Sequence, residues 1–167
     1  VSHICGSVLT PRAYRDAYTN VWERILDENE IALKLRDYYQ GFYIPGFHVH
    51  PDYVEESIEE IRRMHALGVN LIGELCPYFH EWKDYSCEGF SEILDEAEKC
   101  ELKAVHLYTA PSNTGALRMY KKLGFTIWHQ QNEARPDDVH LIYWGSKEKK
   151  EEKPLEKAEQ KPVALKG

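Results

Sequence analysis

Apolar positions along this chain follow two rhythms: helical spacing over long stretches, and short dense runs of the strand kind between them. "TPRAYRDAYTNVWERIL" predicts a helix, with Thr10 as N-cap, Pro11 at the first helical position and a stripe through Tyr14, Ala17, Tyr18, Val21, Trp22 and Ile25. "DENEIALKLRDYYQG" predicts a second helical piece stopped by Gly41, and "FYIPGFHV" a short strand interrupted by Pro45 and Gly46. "PDYVEESIEEIRRMHALG" is the clearest helix: Asp52 and Glu55 form a capping pattern, Val54, Ile58, Ile61 and Ala66 mark the buried side, and Gly68 ends it. "VNLIGEL" predicts a buried strand, "GFSEILDEAEKC" a helix and "LKAVHLYT" a strand. "SNTGALRMYKKLG" then predicts a helix leaving at Gly124, and "FTIWHQ" and "VHLIYWG" two closing strands. This alternation predicts an α/β fold, a mainly parallel sheet flanked by helices, in a single domain over residues 1–145. From Ser146 to Gly167 the Lys/Glu run lacks apolar periodicity and predicts a disordered, solvated tail.

Composition narrows this only a little. A chain of 167 residues with 43% hydrophobic and 12% aromatic residues is long enough to bury one core. The net charge of −7 argues against a basic surface for nucleic acid or anionic membrane; a small-molecule substrate is the expected partner if the chain is active. Cys5, Cys76, Cys87 and Cys100 form no C-x-x-C pair, which predicts reduced thiols and a cytoplasmic protein, and no apolar run reaches membrane-spanning length. There is no Ser-His-Asp order, no Walker loop and no dinucleotide fingerprint.

Two stretches, "IPGFHVHPDYVEESIEEIRRM" and "GVNLIGELCPYFHEW", resemble part of a metal-dependent amidohydrolase, the TIM-barrel hydrolases that include TatD-type deoxyribonucleases and related decarboxylases. That likeness covers residues 1–99 and implies partial barrel β-α units. From about residue 100 to 145, "AVHLYTAPSNTGALRMYKKLGF" resembles the C-terminal half of a GNAT-type N-acetyltransferase, a β-α-β-β segment, through Asn113, Ala116, Tyr120, Gly124 and Phe125. The two likenesses in series predict a fragment or chimera joined near residues 98 to 103.

The amidohydrolase likeness implies zinc or manganese, which lowers the pKa of bound water and polarises the scissile group, held at the carboxyl ends of strands. His48 and His50 have the His-x-His spacing that opens the family's ligand set, and on a strand they would share a face. The resemblance, however, sets His50-Pro51 at the end of a later strand and puts the first-strand pair ahead of Val1. His48 and His50 are therefore not expected to be the metal pair. The metal candidates it implies are Glu74, His50 and His106; the alternatives are a half-buried carboxylate and packed histidines. His80 and Trp82 are expected only to line a loop.

The acetyltransferase likeness implies acetyl-CoA, with Asn113 bonding the pantetheine arm and Tyr120 protonating the departing thiolate. The alternatives are an N-cap for Asn113 and a core position for Tyr120. The phosphate-binding turn has no good match, since "RMHALG" closes a helix rather than opening one. Both catalytic sets are expected to be incomplete. The expected activity is hydrolysis of C–N or ester-type bonds, with N-acetylation and an inactive chimeric or engineered scaffold as the alternatives.

Overall fold

Strand β1 (Ile4–Gly6) pairs in parallel with β2 (Tyr43–Pro45), Ile4 standing opposite Tyr43 and Gly6 opposite Pro45. The parallel run continues through two single bridges, Phe47 to Ile72 and Ile72 to Val105, into β3 (Val105–Thr109). The pairing then reverses: β5 (Val139–Tyr143) lies antiparallel to β3, and β4 (Thr126–Ile127) antiparallel to β5, giving the order β3-β5-β4. The computed structural model that shows this describes residues 3–73, 75–77, 79–83, 88–102, 105–127 and 137–144, and the side chains of these except His106. The fold is thus mixed α/β, with a small parallel and a small antiparallel sheet. Among the described residues the strands do not close into a barrel. The expected charged tail lies outside the described residues.

Helices fill the connections between parallel strands, as parallel pairing demands: α1 (Val21–Tyr38), α2 (Val54–Ala66) and α3 (Glu88–Lys99), with α4 (Thr114–Lys122) between β3 and β4. The single helix expected from Thr10 is instead two elements. A 3-10 helix, Arg12–Ala17, buries none of its residues, and α1 starts only after Asn20, whose side chain accepts the Glu23 N–H at 2.9 Å. Of the stripe read at Tyr14, Ala17, Tyr18, Val21, Trp22 and Ile25, only Ile25 is fully buried. Once that cap is formed, the two expected pieces "VWERIL" and "DENEIALKLRDY" run on as one helix. On α2 the buried face is Ser57, Glu60, Ile61 and Met64, and Ala66 is exposed. Asp52 does not cap that helix; its carboxylate accepts the Lys83 N–H at 2.8 Å instead.

One apolar core joins both sheets. Phe47, Ile72, Val105, Leu107 and Leu141 supply the strand side, and Ile61, Met64, Phe90, Ile93, Met119 and Tyr120 the helix side. Two glycines let its layers approach. A Cβ on Gly46 would lie 2.2 Å from the Gly73 carbonyl oxygen, and one on Gly89 would lie 2.5 Å from the Pro51 carbonyl oxygen.

Candidate metal centre

Beyond the carboxyl ends of the parallel strands, polar side chains sink into the interior. Helix α1 turns Arg24, Ile25, Glu28, Asn29, Ala32 and Leu33 inward, a stripe repeating every four residues in which Arg24, Glu28 and Asn29 are polar. Glu28 Oε1 accepts the Thr10 N–H at 2.7 Å, and Oε2 accepts a 2.9 Å hydrogen bond from His80 Nε2. His48 Nε2 stands 3.9 Å from the same Oε2 and donates to the Val8 carbonyl at 2.9 Å. The His48 and His80 rings meet edge to face with centroids 4.5 Å apart. All three residues are buried.

Each is held from behind. Asn29 treats the His48 backbone as a neighbouring strand would: Oδ1 accepts its N–H at 2.8 Å, and Nδ2 donates to its carbonyl at 3.2 Å and to Glu60 Oε1 at 2.8 Å. His50 fixes the loop that carries His80. Its Nδ1 accepts the Asp52 N–H at 3.1 Å, which leaves the proton on Nε2 to be donated to the His80 carbonyl at 2.7 Å. After His80 the chain turns back through a left-handed Glu81, φ 59°. Burial is the largest influence on Glu28 and pushes its carboxyl up, but the His80 and Thr10 hydrogen bonds and the neighbouring imidazoles outweigh it. The carboxyl stays below its ordinary range. For His50, packed against Tyr53 and Trp82, burial dominates and pushes the imidazole down, so it stays neutral.

Glu28, His48 and His80 could hold a metal ion: one donor atom from each comes within 4.8 Å of the others. The donors fit the task, since two imidazoles and a carboxylate are a zinc-type set that leaves a coordination position open. Zinc bonds of about 2.0–2.2 Å place tetrahedral ligands roughly 3.4 Å apart, so His48 must move inward while Glu28 and His80 already lie close enough. An ion held there through Nε2 of both histidines would take the place of two protons, the one His80 shares with Glu28 and the one His48 gives to the Val8 carbonyl.

The residues expected from the sequence are arranged differently. His50 stays outside this set, because both its ring nitrogens are occupied by backbone groups, as described. His48, set aside with it, belongs to the cluster, while His80 does more than line a loop. Neither His48 nor His50 lies in a strand; the β2 ladder ends at Pro45, with a single bridge at Phe47 beyond it. Glu74 lies outside the described residues. His106 lies on β3 opposite Ile142, and its side chain lies outside them too. Asn113 is the N-cap of α4, its Oδ1 accepting the Ala116 N–H at 3.2 Å. Tyr120 is 2% exposed, packed against Phe90 and Phe125. Sequence reading missed Glu28 altogether. The signal that could have found it is the four-residue repeat of Arg24, Glu28 and Ala32 beside Ile25, Asn29 and Leu33.

No protein-family model matches the chain, and no curated protein or solved structure matches it either.

Proposed function

We propose that the protein is a metal-dependent hydrolase acting on a C–N or ester-type bond, with zinc or manganese held by Glu28, His48 and His80. The observation that carries this reading is the convergence of those three buried side chains from segments 20 and 32 residues apart in sequence. Their position supports it. His48 follows the Phe47 bridge and His80 lies in the loop after Ile72, while Val8 and Thr10 follow β1. Ligands of parallel α/β sheets bind outside the carboxyl ends of the strands. The consecutive parallel pairings from β1 to β3 also support descent from a barrel hydrolase. The ion would supply a Lewis acid. The chain's own residues do the rest: Asn29 orients His48, His50 holds the His80 loop, and the buried surroundings shield the pair of imidazoles from bulk solvent.

Elemental analysis of the dialysed protein tests this. It should give close to one zinc or manganese per chain, lost in Glu28→Gln and in His48→Ala. Well under one metal per chain, unaltered by added zinc, would remove the reading.

A second reading, acetyl-CoA-dependent N-acetylation, is favoured by the β3-β5-β4 order with α4 between β3 and β4, which agrees with the strand-helix-strand-strand resemblance. It meets two obstacles: Asn113 spends its side-chain oxygen on the helix cap, and Tyr120 is buried. Micromolar binding of acetyl-CoA by calorimetry, abolished in Asn113→Ala, would promote this reading over the hydrolase.

A further inference from the structure

We infer that the buried site around Glu28 takes a substrate bearing a compact oxyanion, a carboxylate or a phosphate group, and that Arg24 is the residue that receives it. The inference rests on the metal reading and adds to it the class of substrate.

Arg24 lies one turn before Glu28 on α1 and is only 3% exposed. Its Nη2 donates to the Phe79 carbonyl at 2.9 Å, and Nη1 stands 3.7 Å from Glu81, a carboxylate at the solvent side. Its Nε is buried and has no hydrogen-bond acceptor among the described residues, the closest carboxylate oxygen, Glu28 Oε1, being 4.0 Å away. A buried guanidinium N–H without an acceptor is uncommon, and an unfilled ligand position explains it. Arg15 repeats the feature: its guanidinium lies 3.6 Å from the Phe79 ring centroid, that of Arg24 lies 5.7 Å from it, and Arg15 Nε too is buried without an acceptor among the described residues.

Charge gives the second argument. Without an ion, Arg24 and Glu28 balance. With a divalent ion on Glu28 and two neutral imidazoles, the buried set carries a double positive charge, and water is too far excluded to screen it. An anion that bridges the ion and the Arg24 Nε–H removes that imbalance and fills the orphan donor. Arginine matches carboxylate and phosphate oxygens equally in this respect.

The test uses the full chain loaded with zinc, its metal content read by elemental analysis on the same samples. Inorganic phosphate and acetate are titrated separately by calorimetry. At least one of them should bind, the tighter of the two telling a phosphoryl from a carboxylate substrate. Arg24→Met should weaken that binding about tenfold or more at unchanged zinc content, with partial recovery in Arg24→Lys. Should Arg24→Met fail to fold, Arg15→Gln, at a partly exposed position, should lower anion affinity in the same direction. A zinc-loaded protein that binds neither anion, or binds them equally well in all variants, overturns the inference and leaves the metal reading standing. A protein that takes no zinc overturns both, and the elemental analysis tells the two failures apart.

Discussion

Glu28 and His80, 52 residues apart in sequence, are joined inside the protein by a 2.9 Å hydrogen bond from imidazole to carboxylate. Glu28→Gln keeps the shape and removes the charge that holds the His80 proton. Loss of a buried charged acceptor should lower stability by about 1–3 kcal/mol. Urea denaturation monitored by tryptophan fluorescence measures it, and a variant as stable as the parent would mean the bond is idle.

Stability should fall on acidification in two steps. His50 is held below its ordinary value of 6.5, so the unfolded chain binds a proton there that the folded chain refuses. Its contribution is complete above about pH 6.5 and is lost as pH falls from there through the lowered folded value. Glu28 is held below its ordinary value of 4.5, so its contribution is complete above that pH and is lost as pH falls through its own lowered value. Thermal melts from pH 8 down to about 3 should show this fall, and His50→Gln should flatten the part that begins just below pH 6.5. An unchanged slope in that variant would assign the first step to another group.

Asn29 bears on the site without being a ligand. Asn29→Ala removes the hydrogen bonds that Asn29 makes with the buried His48 N–H and carbonyl, and leaves the Glu60 carboxylate one donor short. A loss of about 2–4 kcal/mol is expected, each abandoned polar group contributing roughly 1–3. Asn29→Asp should do worse, since it cannot donate and puts a second carboxylate beside Glu60. If the chain takes up zinc, both variants should bind it more weakly than equally destabilised variants remote from the site.

Gly46 admits no side chain. Gly46→Ala sets a Cβ 2.2 Å from the Gly73 carbonyl, backbone against backbone, so the two segments that lead to His48 and His80 must part. Overpacking of this kind costs about 1–3 kcal/mol. The melting temperature should drop and bound zinc should decrease together. A stable Gly46→Ala protein with full zinc content would show that the two segments shift freely.

Zinc uptake should weaken as pH falls, because the ion competes with protons for His48 and His80. At a hundredfold excess over its dissociation constant it should stabilise the fold by about 2.7 kcal/mol. Melts at pH 7.5 and 6, with zinc and with chelator, give both quantities.

Much of the scaffold was legible because it is local. The amphipathic rhythm marks α2, α3 and α4, and Gly41, Gly68 and Gly124, all with positive φ, stand just past helix ends. The break between the 3-10 helix and α1 was not legible: apolar residues continue through Tyr18 and Val21, and the Asn20 cap decides the start. The candidate site was hidden for a different reason. On α1 half of the buried stripe is polar, Arg24, Glu28 and Asn29, and a search for apolar positions passes over these residues. His48 and His50 could not be told apart from spacing; their partners, Glu28 for one and the His80 and Asp52 backbones for the other, come from other segments.

The site's parts are gathered early along the chain. Val8, Thr10, Arg24, Glu28, Asn29, His48, His50, Glu60 and His80 all precede residue 84, whereas β3, β4 and β5 begin at Val105 or later. Chains are made and organise from the amino end, so every residue of the candidate site is synthesised before the antiparallel strands. An ion arriving then would meet a complete set of donors on a half-finished sheet, and could act as the first fixed point around which the remaining strands are laid.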